Sequence, residues 1–181
     1  YETTVNLMAV TTVDERALNE GLEMLTQSGA DAIYVVDSFG ALYSEQVQRL
    51  VKKYLHYARA NGMEVGIHAH NNLQLAYANT IEAIILGANY LDATMAGLGR
   101  GAGNCPMELL LGFLHNPKYK LGPVLRCVDQ FIEPMREDLQ WGFDLPYMLT
   151  GLLNQHPRAA MKYKAQPEKP DIGVFYEEVL G

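Results

Sequence analysis

The chain has 181 residues, of which 49% are hydrophobic and 19% are charged, and its formal net charge is −7. This composition predicts one globular core of ordinary size, and the acidic balance, with no basic run, argues against nucleic acid as a partner. The two cysteines, Cys105 and Cys127, form neither a C-x-x-C motif nor a disulfide framework, which predicts a cytoplasmic protein. No apolar run reaches the roughly 18 residues of a membrane span, so no membrane association is predicted.

Four strand–helix units follow one another in the first part of the chain. The predicted strands are residues 3–10, 32–36, 63–70 and 90–95, and the predicted helices are roughly residues 12–28, 44–61, 73–86 and 106–114. The first helix has capping-box spacing between Thr12 and Glu15, and Ser44 can cap the second. Gly29, Gly62 and Gly87 mark the ends of the first three helices.

A period of about 30 residues predicts parallel strands joined by right-handed crossovers. An open doubly wound sheet and a (β/α)₈ barrel both satisfy this pattern. Polar residues at the carboxyl ends of the strands favour the TIM barrel, because its active sites are built there. These residues are Asn6, Asp37, Ser38, His68, His70, Asp92 and Thr94. Four units make half of such a barrel, so we expect strands 5–8 in residues 1–120 and completion by a missing half or another chain.

The sequence His68-Ala69-His70 ends the third predicted strand and is the most informative motif. Side chains on a strand alternate between faces, so both imidazoles face one way, and Gly66 beneath them is expected to leave room for a cation. Imidazole binds manganese, zinc, iron and cobalt, so the pair predicts a divalent-metal site. Two surface or hydrogen-bonded histidines are the alternative, which the glycine-rich loop Gly97–Asn104 disfavours.

Two separated motifs carry a resemblance to a known superfamily. The first is His68–Leu73 with Ala78–Thr80, and the second is Asp92–Gly99 with Gly101–Asn104. Together they resemble the second half of the metal-dependent lyase barrels, which include hydroxymethylglutaryl-CoA lyase, isopropylmalate synthase and 4-hydroxy-2-oxovalerate aldolase. Asn71 follows the histidines where the lyase and the synthase usually carry aspartate, so the resemblance is closest to the aldolase branch.

The resemblance implies a metal-dependent aldolase that cleaves a 4-hydroxy-2-oxo acid to pyruvate and an aldehyde. The implied cofactor is a divalent metal, with Mn²⁺ expected and Mg²⁺, Co²⁺ or Zn²⁺ as alternatives, acting as Lewis acid and template. His68 and His70 match the family's metal ligands, and Asn104 either ligates the metal or caps a helix. Ser38 and His68 match substrate contacts. Tyr147 is the nearest match to a tyrosine that gates the site, with a core aromatic residue as the alternative.

Other catalytic groups of the family have no match here. Its first strand supplies an arginine, a metal-ligating aspartate and a nearby histidine base, so we expect the base and the arginine outside this chain and predict that the chain alone is inactive. Asp37 and Asp92 are expected to be hydrogen-bond partners of the ligands or strand-end caps. Arg100 is interpreted as a solvated loop charge or, alternatively, as a contact to a carboxylate.

Residues 121–181 are expected to form a short helical extension, with an amphipathic helix at 123–137, an aromatic loop at 141–147 and a helix at 148–154. The tail is shorter than the family's dehydrogenase-contacting region, so an aldehyde dehydrogenase partner is not expected, while a homo-oligomer stays open. Two alternatives to the aldolase remain. One is a Claisen-type acyl-CoA synthase or CoA-lyase-like enzyme of the same superfamily, and the other is a non-catalytic structural or binding half-barrel.

Overall fold

Four parallel strands form one sheet, in which each strand pairs with the next strand along the chain. The computed structural model describes residues 1–181. The strands are β1 (Thr4–Leu7), β2 (Ala32–Asp37), β3 (Glu64–Ala69) and β4 (Tyr90–Leu91). The helices are α1 (Glu15–Leu25), α2 (Ser44–Ala60), α3 (Ala76–Leu86), α4 (Met107–Leu114), α5 (Leu121–Cys127), α6 (Leu145–Leu152), α7 (Arg158–Lys164) and α8 (Ile172–Leu180).

The first three helices pack against one face of this sheet. Ile33, Val35 and Val65 point into a core of 22 buried residues to which α1, α2 and α3 all contribute. The opposite face of β2 carries Tyr34 and Val36, which belong to a separate small cluster without residues from those helices. A doubly wound sheet has helices on both faces, so the sequential, one-sided arrangement is that of a barrel segment.

Two helix caps differ from the sequence-based expectation. Asp14, rather than Thr12, caps α1, and its carboxylate accepts a backbone N–H of the first turn at 2.8 Å. Ser44 is the first residue of α2 rather than its cap. The side-chain oxygen of Gln46 accepts the backbone N–H of Tyr43 at 2.9 Å, which satisfies the chain just before the helix without a serine cap.

The fourth strand is shorter than predicted, because the chain leaves the sheet after Leu91. The backbone N–H of Thr94 donates to the carbonyl of Cys105 at 3.0 Å, and the N–H of Met107 donates to the carbonyl of Thr94 at 2.9 Å. These bonds pair residues expected in the strand with the end of the glycine-rich loop. Thr94 is therefore held by the residues that follow the loop, whereas Asp92 is still held by the sheet, because its backbone N–H donates to the carbonyl of Ile67 in β3 at 3.1 Å.

The helical extension is more irregular than predicted. The expected helix at 123–137 is divided into α5, a π-helical turn at Val128–Ile132 and a 3₁₀ turn at Glu133–Glu137. Pro134 has no backbone N–H, which explains why the α-helical bonding pattern does not continue through this region. The next helix, α6, begins at Leu145, and α7 and α8 were not anticipated from the sequence.

The extension packs onto loops that follow the strands. The side-chain amide of Asn72 donates to the carbonyl of Tyr147 at 3.1 Å, and the indole N–H of Trp141 donates to the carbonyl of Ala96 at 2.9 Å. Both contacts lie beyond the carboxyl ends of β3 and β4. The segment therefore helps to form the walls of the site described below.

No helix in the structure combines the length and the apolar character needed to cross a lipid bilayer.

Candidate active site at the strand ends

The two histidines of the third strand lie side by side. Their ring centroids are 4.9 Å apart, and both side chains are partly buried. Nδ1 of His68 donates to the Asp92 carboxylate at 2.9 Å, and Nδ1 of His70 donates to the backbone carbonyl of Asp37 at 2.9 Å. Because the two partners are acceptors, each neutral ring carries its proton on Nδ1 and keeps a free lone pair on Nε2. Metal-binding histidines have this arrangement, with the second ring nitrogen held by a carboxylate or a carbonyl.

Burial also favours the neutral form of His70. It lowers the pKa of the imidazole below its usual value, although the hydrogen bond to Asp37 partly opposes this change. Further lowering comes from the nearby His68 and from the positive charge of Arg100. A neutral imidazole is the form that can donate a lone pair to a cation.

The space beneath the histidines is filled rather than open. Tyr34 on β2 pairs directly with Gly66 on β3, and a Cβ atom at Gly66 would lie 2.6 Å from the Tyr34 ring. The glycine therefore accommodates the aromatic ring of the neighbouring strand, and the expectation that it leaves room for a cation is wrong. Burial raises the pKa of Tyr34 to about 12, so its hydroxyl stays protonated at neutral pH.

The glycine-rich loop brings Asn104 next to the histidine strand. Asn104 forms an isolated antiparallel bridge with His70, and its side-chain N–H donates to the carbonyl of Leu98 at 3.2 Å. The close turn depends on Gly103, whose φ is +81° and whose added Cβ would lie 2.2 Å from the carbonyl oxygen of Gly97. Oδ1 of Asn104 is buried and has no hydrogen-bond partner.

The chemistry of these donors is of a kind that binds divalent cations. Two Nε2 lone pairs are free. The unpartnered amide oxygen belongs to Asn104, which lines a small side cleft together with His68 and Asp92. A buried acceptor without a partner is destabilising unless a ligand or a water molecule satisfies it. No group of three His, Cys, Asp or Glu side chains in the chain could hold a metal ion. The candidate donors are thus two imidazoles and one amide, with no carboxylate among them.

Asp37 and Ser38 organise the end of the second strand. The Asp37 carboxylate accepts the backbone N–H groups of Ala41 and Leu42 at 2.9 and 3.2 Å. Burial raises its pKa to about 6 despite these bonds. Oγ of Ser38 accepts the backbone N–H of Ala9 at 2.7 Å, so its own hydroxyl proton stays available to a ligand.

A cleft of about 410 Å³ lies in front of the histidine pair. Its polar lining residues are Asn6, Ser38, His68, His70, Arg100 and His156. Arg100 thus lies on the wall of the cleft, in keeping with the second of the two interpretations that its sequence allowed. His156 was missed, because a single histidine in a distant loop carries no spacing signal that relates it to the site.

Tyr147 occupies a different position from the one expected of a gating residue. It is buried and is not among the residues that line the cleft. A Cβ atom at Gly101 would lie 2.3 Å from the Tyr147 ring, so the ring packs directly behind the glycine-rich loop. It forms a small cluster there with Ala102 and Ala160.

Sequence comparison finds similar proteins over most of the chain. A family model described as HMGL-like matches residues 2–128. The 4-hydroxy-2-oxovalerate aldolase of Pelotomaculum thermopropionicum is 39% identical over 116 residues, which cover 64% of this chain and 33% of that protein. The Moorella thermoacetica protein of the same name is 35% identical over 158 residues, which cover 82% of this chain and 46% of that protein. The chain therefore spans a third to less than half of the length of these relatives.

Structural comparison gives a consistent result. The N-terminal domain of a candidate aldolase from Bacteroides vulgatus superposes with a TM-score of 0.73 and 35% identity, over 89% of this chain and 53% of that chain. The carboxyl transferase domain of Rhizobium etli pyruvate carboxylase superposes with a TM-score of 0.63 over 91% of this chain and 30% of that chain. At 19% identity, the second likeness concerns the fold alone.

Proposed function

The chain belongs to the HMGL-like family, and we propose that it is part of a metal-dependent aldolase that cleaves a 4-hydroxy-2-oxo acid to pyruvate and an aldehyde. The observation that carries the proposal is the pair of adjacent imidazoles, His68 and His70, each with Nδ1 bonded to an acceptor and Nε2 free. The two aldolases compared above support the reaction class.

We propose that Nε2 of His68 and Nε2 of His70 hold the cation, with Oδ1 of Asn104 as the third donor. Manganese is the proposed metal, and magnesium, cobalt and zinc are alternatives that also accept nitrogen and oxygen ligands. When bound, the cation would act as a Lewis acid for the negative charge that develops on the 2-oxo group as the carbon–carbon bond breaks.

The neighbouring residues orient these donors and the substrate. Asp92 and the carbonyl of Asp37 hold the two rings in their tautomers. Ser38 would donate its hydroxyl proton to a substrate oxygen; the support is that its own oxygen already accepts the Ala9 N–H. Tyr147 acts indirectly, by supporting Gly101 and with it the glycine-rich loop.

The general base is assigned to a segment outside this chain, together with a carboxylate ligand and an arginine. Residues 1–120 would then form strands 5–8 of a (β/α)₈ barrel, and residues 121–181 a helical extension over its mouth. The support is the one-sided, sequential sheet, whose edge strands β1 and β4 each have a single neighbour. A barrel leaves no such edges, because its first and last strands pair.

The buried thiol of Cys105 supports an aldolase over an enzyme that acts like the CoA lyase. Its side chain is fully buried, and burial raises its pKa to about 11. A thiol in this state carries little thiolate at neutral pH and is a poor nucleophile or acid–base group.

The experiment that tests the proposed function is a pyruvate assay with the natural full-length protein. We expect cleavage of a 4-hydroxy-2-oxo acid to require added Mn²⁺ or another divalent cation, and to stop in excess chelator. None of the residues that line the cleft is a lysine, so no Schiff base is expected to replace the metal as the electron sink. Full activity in chelator, or an adduct trapped by borohydride, would show that the metal assignment is wrong.

Replacing Asp92 by alanine should weaken metal affinity by about 10- to 100-fold, because it removes the acceptor that orients His68. The change is measured by titration of the full-length protein with Mn²⁺. Asp129→Ala removes an exposed carboxylate from the π-helical turn and should leave the affinity unchanged. Equal losses of Mn²⁺ affinity in the two variants would mean that the change in net charge, and not the orientation of His68, explains the effect.

A further inference from the structure

Arg100 gives the cleft a positive charge without a partner. Its side chain makes no hydrogen bond, ion pair or aromatic contact, and no carboxylate lines the cleft. The backbone around it is held firmly, since the N–H of Gly103 donates to the carbonyl of Arg100 at 3.1 Å and Gly101 packs on the Tyr147 ring. Arg100 thus lines, from a fixed loop, a cleft that offers its guanidinium no anion.

His156 lines the same cleft from the loop between α6 and α7. Its ring packs edge-on against Phe39, with centroids 5.5 Å apart. Its Nδ1 accepts the backbone N–H of Arg158 at 3.1 Å. The neutral ring therefore carries its proton on Nε2, where it can be donated to a ligand. This tautomer is the opposite of that in His68 and His70, so His156 is suited to hydrogen-bond an anion rather than to ligate a metal.

We propose that Arg100 and His156 form a subsite for a second carboxylate, so that the cleft selects 2-oxo acids whose far end is anionic. The inference rests on the proposed function, in which the end of the substrate that bears the 2-oxo group lies at His68 and His70. The planar guanidinium binds a carboxylate through two parallel hydrogen bonds, and the imidazole N–H adds a third. The cleft, at about 410 Å³, has the size of a small-molecule site.

The test compares two five-carbon probes that differ only at the far end. 2-Oxoglutarate carries the second carboxylate and 2-oxopentanoate does not. Calorimetric titration of the full-length protein, loaded with Mn²⁺, should give 2-oxoglutarate a tighter dissociation constant by about 10- to 100-fold, the range expected for hydrogen bonds between charged groups. Arg100→Ala should abolish this preference and leave 2-oxopentanoate binding unchanged.

Three further variants define the roles of the two residues. Arg100→Lys keeps the charge without the paired donors and should retain part of the preference. His156→Ala should reduce the preference by several-fold. Arg126→Ala removes an exposed arginine of α5 that does not line the cleft, and it should bind both probes as the unaltered protein does. Thermal melting of each variant checks that the fold is retained.

The outcomes separate this inference from the proposed function. An unaltered protein without preference for 2-oxoglutarate would overturn the subsite, as would an Arg100→Ala variant that loses affinity for both probes equally. The second result would mean that Arg100 binds the carboxylate next to the oxo group. Preference without any cleavage of 4-hydroxy-2-oxo acids would leave the subsite intact and refute the aldolase. Cleavage of 4-hydroxy-2-oxo acids without preference for 2-oxoglutarate would refute the subsite and leave the aldolase proposal intact.

Discussion

Replacing His70 by alanine should lower the rate of pyruvate formation by about 10²–10⁴-fold in the full-length protein. The substitution removes one of two adjacent imidazoles whose Nε2 lone pairs are free. Lewis-acid stabilisation by a metal contributes several kcal/mol to the transition state, and each 1.36 kcal/mol corresponds to a tenfold change in rate. The measurement is kcat/KM at a Mn²⁺ concentration that saturates the unaltered protein. We expect His68→Ala to lower kcat/KM by a similar factor.

His56→Ala is the matched control for this prediction. His56 is an exposed imidazole on α2, and its ring contacts only the neighbouring Tyr57 among the aromatic residues. We expect its rate and Mn²⁺ affinity to equal those of the unaltered protein. If His70→Ala keeps full activity and normal metal affinity, the histidine pair is structural and the non-catalytic alternative gains support.

The 181 residues expressed alone should form pyruvate at least about 10²–10⁴-fold more slowly than the full-length protein, because general base catalysis contributes a factor of this size. The cleft contains no carboxylate, and His156, its one imidazole that is not a proposed metal ligand, has its proton on the nitrogen that remains free. Metal affinity should fall as well, since two imidazoles and one amide leave much of the coordination sphere to water. Both quantities are measured side by side on the two proteins.

Addition of the remaining segment as a separate polypeptide is the control for misfolding. Recovery of pyruvate formation on mixing would show that the 181 residues fold correctly and lack only the groups that the other polypeptide supplies. If the 181 residues alone form a stable monomer that produces pyruvate as fast as the full-length protein, the half-barrel proposal is contradicted. Such a rate would also mean that the base lies within this chain.

Sequence reasoning was most effective where a local period fixes the geometry. The alternation of side chains along a strand is enough to place His68 and His70 on one face, and the repeat of strand–helix units is enough to give a parallel sheet. Of the two roles expected for Asp37 and Asp92, the Asp92 carboxylate is a hydrogen-bond partner of His68 and the Asp37 carboxylate is a strand-end cap. These features depend on short stretches of chain and on simple topology.

The features that were missed depend on contacts between distant segments. The ring of Tyr34 fills the space above Gly66 because the register of β2 against β3 sets these residues opposite each other. His156 reaches the cleft because the helical extension folds back over the loops after the strands. No local sequence pattern predicts the register of β2 against β3 or the path of the helical extension. Their effects on the site therefore become visible only in the structure.

The most direct measurement is the anomalous difference map of a crystal of the full-length protein grown with Mn²⁺, with data collected at the manganese edge. If the histidine pair holds the metal, the map has one strong peak within coordination distance of Nε2 of His68 and Nε2 of His70, and a His70→Ala crystal grown in the same way has no such peak. A protein that cleaves its substrate in a metal-dependent manner, yet holds its manganese away from both histidines, would contradict the assignment of His68 and His70 as metal ligands.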